Sequence, residues 1–253
     1  MTTLIVGGTG ATGRLLVERL LDEGHHVKVI VRSAEGLPSP LSTGRSSSGA
    51  SPGDDRLTVM EANLLEVPAE DLERFVSGCD AVVSCLGHRL TARGLFGPPY
   101  RLVKEATRRL CEAIQANGGD RPTKFLLMNT TGCRNHDLDE PISFAQHAVI
   151  GLLRLLLPPH ADNEAAAHYL RTQIGQDHPT IEWVAVRPDA LTDEAQVTDY
   201  ELHPSPIRSA IFDAGKTSRI NVAHFMVQLI TNETLWTAWK GRMPVIYNKS
   251  SLV

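Results

Sequence analysis

The stretch Val6-Gly7-Gly8-Thr9-Gly10-Ala11-Thr12-Gly13 constrains this chain more than any other, because it sets glycines at 7, 10 and 13 between a strand pattern and a helix pattern. Thr3–Gly7 is a short β-rich run, and Ala11–Glu23 repeats apolar residues at helical spacing until Gly24 stops it. In that context each glycine has its own task. Gly7 permits a tight exit from the strand, Gly10 keeps side-chain atoms out of the way of a phosphate, and Gly13 lets the helix lie close on the sheet. The start of the helix then offers unpaired N–H groups and a partial positive charge to an anion. A glycine-rich turn with no ligand is the plainer reading of the same residues. The strand–helix context favours a bound dinucleotide, with Gly7, Thr9, Gly10, Ala11, Thr12 and Gly13 around its diphosphate.

The alternation continues along the chain. Strands are expected at Val27–Val31, Leu57–Met60, Ala81–Cys85, Lys124–Met128, Ile181–Val186 and Val245–Tyr247. Helices are expected at Ala69–Val76, Tyr100–Asn117 and Val222–Thr231, the last capped by Asn221, and in the interval between Met128 and Ile181. Strands spaced by helices imply a parallel sheet covered on both faces, and right-handed crossovers favour the doubly wound arrangement. The expected fold is one α/β Rossmann-type domain over residues 1–253, with a doubly wound parallel sheet. It carries a flexible loop at 34–55, rich in Ser, Gly and Pro, and a small C-terminal substrate-side region at 188–253. Ligands of such a sheet lie beyond the carboxyl ends of its strands. Functional residues are therefore expected just after Val6, Val31, Cys85, Met128 and Val186.

Composition narrows the partners. With 25 Lys and Arg against 29 Asp and Glu, the net charge is −4 and no basic face is clustered for nucleic acid. Arg101, Lys104, Arg108 and Arg109 alternate with Leu102, Val103, Ala106 and Leu110, which reads as the solvated side of a helix. The cysteines at 79, 85, 111 and 133 form no CxxC pair and meet no histidine at zinc spacing, so neither a disulfide framework nor a metal site is expected. Cys85 reads as a small buried hydrophobe. The longest apolar stretch, Ala148–Leu157, contains Arg154 and ends at Pro158-Pro159, well short of the ~20 residues that span a bilayer. A strand pattern starting almost at Met1 leaves no room for a secretory leader. The cytoplasm is the expected location.

At the end of the second strand stands Val31-Arg32-Ser33. A protein that selects NAD usually has an acid there, about twenty residues past the glycines, for the ribose 2′-hydroxyl. An arginine fork grips a 2′-phosphate instead, and Ser33 adds a hydroxyl. NADP(H) is therefore the expected cofactor, the alternative for Arg32 being an exposed side chain beside a loop.

Gly7–Gly13, Arg32-Ser33, Lys124–Gly132 and Arg187-Pro188 together resemble the atypical short-chain dehydrogenase/reductases. Within them the chain is most similar to the NAD(P)H-binding group that includes biliverdin-IXβ/flavin reductases and NmrA-like proteins. Asn163-Glu164 with His168–Arg171, and Ser218–Asn221 leading into Ala223–Met226, add to the likeness. The resemblance implies that Asn63-Leu64 lies against the adenine, with Asn63 where relatives carry an acid. It implies that Cys85, Leu86 and Gly87 approach the cofactor ribose or nicotinamide, with Asn129, Thr130 and Pro188 beyond them. Thr130 stands where relatives place a serine that hydrogen-bonds substrate or nicotinamide; the other reading is a hydroxyl that satisfies its own turn. His136 and His88 follow the fifth and fourth strands, and each is either a pocket residue or an exposed loop histidine.

The wider superfamily uses a Tyr-xxx-Lys pair after the fifth strand, the lysine lowering the tyrosine pKa for proton transfer. Here Phe144 and Ala148 stand at those places, and Tyr100 and Lys104 repeat the spacing in the wrong part of the chain. Hydride transfer without that donor suits an acceptor stable as an anion or protonated by water, namely a flavin, quinone or linear tetrapyrrole. The expected activity is an NADPH-dependent oxidoreductase of such a small-molecule substrate, bound on the side formed by Pro188–Phe212. The alternative is a non-catalytic, NmrA-like redox sensor that binds a protein partner, with Ala148–Leu157 as a docking helix. A sugar-nucleotide epimerase or dehydratase is disfavoured, because those reactions also need the missing tyrosine.

Overall fold

A computed structural model of the chain describes residues 1–37, 55–88, 91, 97–138, 140, 158–209 and 213–249. The loop residues 38–54, the Phe144 and Ala148 positions, and the Ala148–Leu157 run lie outside the described residues.

The first half alternates as its apolar periodicity requires: β1 (Thr2–Val6), α1 (Ala11–Asp22), β2 (His26–Val31), β3 (Leu57–Glu61), α2 (Ala69–Val76), β4 (Ala81–Ser84) and α3 (Leu102–Asn117). The second half has β5 (Thr123–Met128), α4 (Pro158–Tyr169), β6 (Ile181–Pro188), β7 (Ala190–Thr192) and β8 (Tyr200–His203). It ends with β9 (Lys216–Ser218), α5 (Arg219–Thr231), α6 (Glu233–Trp239) and β10 (Val245–Asn248). Eight strands form one sheet in the order β3-β2-β1-β4-β5-β6-β10-β8, parallel throughout except for β8, which runs antiparallel to β10. The first six places are the doubly wound dinucleotide-binding order, with its reversal between β1 and β4.

Side chains of β1 show how the sheet is covered. Leu4 and Val6 enter one apolar core with α2, α3 and α4, while Ile5 enters the other with α1 and α5. A strand buried on both faces needs apolar residues at consecutive positions, which is why Leu4-Ile5-Val6 carries no polar alternation. Leu16, Val17 and Leu20 of α1 meet Phe225, Met226 and Leu229 of α5 in the second core. That packing fixes α1 behind the glycine turn.

Three features of the C-terminal quarter differ from the sequence expectation. Pro188–Phe212 contains β7 and β8 in its described part, and β8 with β10 widens the main sheet. β7 pairs with β9 in a separate two-stranded parallel ladder. The helix expected from Val222 with an Asn221 cap starts earlier, at Arg219, and Ser218 caps it by accepting from the Asn221 N–H at 3.3 Å. Asn221 is buried inside the first turn, where its side chain accepts from Thr198 N and donates to Asn248 Oδ1, tying the helix to β10.

Candidate functional site

The turn after β1 is built almost wholly of main chain. Gly7 has φ +80, and a Cβ there would lie 2.6 Å from the carbonyl oxygen of Cys85. Only glycine tolerates both the left-handed backbone and that approach. The Gly10 N–H donates to Gly7 O at 2.9 Å, closing the turn, and Arg14 N–H donates to Gly10 O at 2.8 Å, opening α1. A Cβ on Gly13 would fall 2.2 Å from that same Gly7 oxygen. Gly10, the N-cap, has no side chain to spend on the helix N–H groups, and the first turn of α1 carries no acid. The exposed Ala11 and the buried Thr12 stand in that turn. Free donors and an aligned dipole with no competing carboxylate suit a diphosphate.

Around this turn lies a cleft of about 330 Å³. Val6, Gly7, Thr9 and Gly10 form its floor; Ile30, Val31 and Arg32 bring in the end of β2. Ala62, Asn63 and Leu64 supply the wall after β3, and Cys85, Leu86 and Gly87 the wall after β4. Nine residues named from the sequence therefore meet in one place: Gly7, Thr9, Gly10, Arg32, Asn63, Leu64, Cys85, Leu86 and Gly87. Pro99 and Leu102, which close the cleft from the start of α3, had no sequence signal beyond an apolar helix pattern.

Local bonds refine several roles. Arg32 is exposed on the cleft rim, and Ser33 Oγ, outside the cleft lining, accepts from Glu35 N at 3.2 Å. Glu61, at the end of β3, accepts from Ala34 N at 3.0 Å and so holds the turn that carries Arg32. Asn63 donates to Glu66 Oε1 at 2.7 Å and accepts from Leu65 N at 3.3 Å, so its amide braces its own loop. The strand expected to include Cys85 ends at Ser84; Cys85 is half-buried, and desolvation pushes its thiol up to about 12. It is a wall residue and no thiolate.

Beyond the cleft, the ends of β5 and β6 stand side by side. Asn129 Nδ2 donates to Asn163 O at 3.1 Å, and Asn129 Oδ1 accepts from Thr130 N at 2.9 Å. Thr130 Oγ1 accepts from Gly132 N at 3.3 Å, which leaves its hydroxyl proton to donate elsewhere. The buried Pro188 accepts from Thr131 N at 3.1 Å. His88 faces inward: Nε2 lies 2.8 Å from Asp162 of α4, whose carboxylate also accepts from Val103 N and Lys104 N and thereby caps α3. Tyr100 is 56% exposed, so the Tyr100–Lys104 spacing makes no buried proton-transfer pair. His136 is exposed and lines a separate cleft beside α4, with Arg134, Glu164, His168 and Arg171. Arg187 has a structural role. Its five N–H groups reach Met243 O, Cys133 O, Pro204 O and both oxygens of Glu140, at 2.7 to 3.2 Å.

Comparison with known proteins follows the same line as the geometry. Residues 7–233 match a family model described as NAD(P)H-binding. A cis-3,4-dihydrophenanthrene-3,4-diol dehydrogenase of Alcaligenes faecalis is 33% identical over 69 residues, which spans 27% of this chain and 25% of that protein. Among solved structures, a short-chain dehydrogenase/reductase from Veillonella parvula in complex with NADP superposes with a TM-score of 0.67. It is 16% identical, and the match covers 100% of this chain and 96% of that one. An anaerobillin reductase from Escherichia coli O157:H7 gives a TM-score of 0.65 at 15% identity, covering 99% and 98%. At such identities these likenesses establish the fold. Among the described residues no helix is long and apolar enough to cross a membrane.

Proposed function

The chain belongs to the NAD(P)H-binding family, and from that premise we propose that it is an NADPH-dependent oxidoreductase passing hydride to a planar, conjugated acceptor of the flavin, quinone or tetrapyrrole type. One observation carries the cofactor choice: Arg32 lines the cleft at the end of β2, where selection of NAD calls for a carboxylate. The guanidinium would take the 2′-phosphate through charge-assisted bonds, while the Gly7–Gly13 turn and the first N–H groups of α1 hold the diphosphate. When bound, the reduced nicotinamide supplies the hydride. Leu86 and Leu102 give the cleft an apolar side, and the Thr130 hydroxyl just after β5, which accepts from Gly132 N, would donate a hydrogen bond to the acceptor. Phe144 and Ala148 replace the tyrosine and lysine that would hand over a proton. An acceptor whose reduced form spreads its charge over a conjugated system needs no such donor. The fold shared with an anaerobillin reductase is in keeping with that substrate class.

Two measurements test the reading. Arg32→Ala should weaken NADPH by about 1.5–3 kcal/mol, the scale of a hydrogen bond to a charged group, and leave NADH nearly unchanged in calorimetry. Equal losses for both nucleotides would remove the 2′-phosphate assignment. Incubation with NADPH and a panel of flavins, quinones and linear tetrapyrroles should show loss of the nicotinamide absorbance with at least one acceptor. Tight cofactor binding with no oxidation across the panel would favour the regulator that binds a protein partner.

A further inference from the structure

The cleft beside α4 shares no lining residue with the cleft around the glycine turn. It measures about 270 Å³ and is walled by the loop after β5 and by α4. Ala161, Ala165 and His168 fall on one face of that helix, and Arg171 follows just beyond its end. Arg134 is the unusual member. Glu140, in the same loop, gives its carboxylate to Arg187 and to the Asn135 N–H at 2.8 to 3.2 Å. Arg134 receives only the Glu140 carbonyl, to which Nη2 donates at 3.2 Å, and its Nε is buried with no hydrogen-bond partner. Two guanidiniums thus meet one carboxylate, and the second has no counter-ion among the described residues. Leaving a buried charged donor unpaired is costly, and native proteins satisfy such groups with protein, water or ligand. The acids nearby are already answered. Asp137 accepts from Arg171 with both oxygens, and Glu164 has His160 Nε2 at 3.5 Å.

We propose that the cleft beside α4 is a second binding site, which takes a small, free organic anion through Arg134. The guanidinium fork suits a carboxylate or a phosphate ester, and the His136 and His168 imidazoles stand beside it as further donors. Ala161 and Ala165 give the carbon skeleton of the ligand an apolar side. A volume of about 270 Å³ equals roughly nine liquid waters. That admits a molecule the size of succinate or glycerol 3-phosphate and is too small for a dinucleotide.

The test follows the methyl resonances of Ala161 and Ala165 by NMR on the full chain. The titrants are succinate, glycerol 3-phosphate, and sodium chloride at matched ionic strength. At least one organic anion should give a saturable shift, and sodium chloride none. Occupation of the glycine turn by the same probe would move Ala11 instead. Arg134→Gln, which keeps an N–H donor for the Glu140 carbonyl, should weaken binding about tenfold or more, the scale of a hydrogen bond to a charged group. His168→Gln, a change at an exposed position, should cost about threefold and keeps the test decisive if Arg134→Gln proves unstable. The proposal is overturned if neither organic anion saturates, or if the substitutions leave the affinity unchanged. Riboflavin and its 5′-phosphate distinguish the source of the anion. A free anion predicts equal shifts with the two flavins. A preference for the phosphate that Arg134→Gln abolishes would overturn that assignment and give the cleft to an acidic substituent of the acceptor. None of these titrations contains NADP(H), so their outcome is separate from the cofactor reading.

Discussion

Gly13→Ala is the most direct test of how the turn works, because its effect can be worked from distances. A Cβ at this position would sit 2.2 Å from Gly7 O and 2.9 Å from Gly7 C, where ordinary contact begins at 3.4 Å. The helix must therefore retreat by 3.4 − 2.2, about 1.2 Å, and both neighbours are main chain with no rotamer to yield. Retreat loosens Leu16, Val17 and Leu20 from the sheet and strains the Gly10–Gly7 bond. Overpacking of this kind costs about 1–3 kcal/mol, with backbone overlap at the upper end, while alanine in a helix returns about 1 kcal/mol. The net loss is about 2 kcal/mol, or roughly 4–8 °C in Tm for a domain of this size. Urea and thermal unfolding measure it, and calorimetry should show NADPH affinity falling with it. Gly10→Ala is the control. Its Cβ meets only Gly7 O, at 3.1 Å, so stability should change little while affinity drops. A Gly13→Ala protein as stable as wild type, with unaltered NADPH binding, would refute the close-packing argument.

Two further predictions concern stability. Arg187→Met should cost about 3–5 kcal/mol in urea unfolding, because it leaves the Glu140 carboxylate buried without its cation; a loss under 1 kcal/mol would mean that water reaches the site. His224 has its pKa lowered, first by burial and then by the Arg19 charge, with Glu23 opposing. The folded chain then binds that proton less tightly than the unfolded chain, so stability falls as the pH drops below the ordinary histidine value toward the lowered one. Tm measured across pH 7 to about 5 should decline less in His224→Gln than in wild type; parallel curves would contradict the assignment.

What the sequence disclosed was set by period. β1, β2, β4, β5 and β6 each carry a run of three or four apolar residues in succession, as in Leu4-Ile5-Val6 and Phe125-Leu126-Leu127-Met128, and α2 spans the Ala69–Val76 expected from its spacing. The Gly7–Gly13 turn was legible because its chemistry is local, each glycine acting within a few residues of the next. β7 and β9 have three residues each, too few for any period to appear. The Asn221 cap was misplaced because Arg219 and Ile220 carry helix backbone ahead of the apolar run, and Ser218 lies one turn further back. Asp162 and Asp189 were invisible for another reason. The first meets His88 across 74 residues and the second meets Thr131 across 58, and no local pattern marks which acid will find which partner.

The sheet order has a consequence for how the binding surface comes into being on a growing chain. Every residue that lines the cleft around the glycine turn lies between Val6 and Leu102, and β1 to β4 are contiguous in the sheet. The helix that fixes α1 behind the glycine turn, α5, follows only at Arg219–Thr231. A nascent chain released up to α3 therefore carries every lining residue without the packing that holds the glycine turn, so the cleft takes shape only once the last quarter of the chain docks.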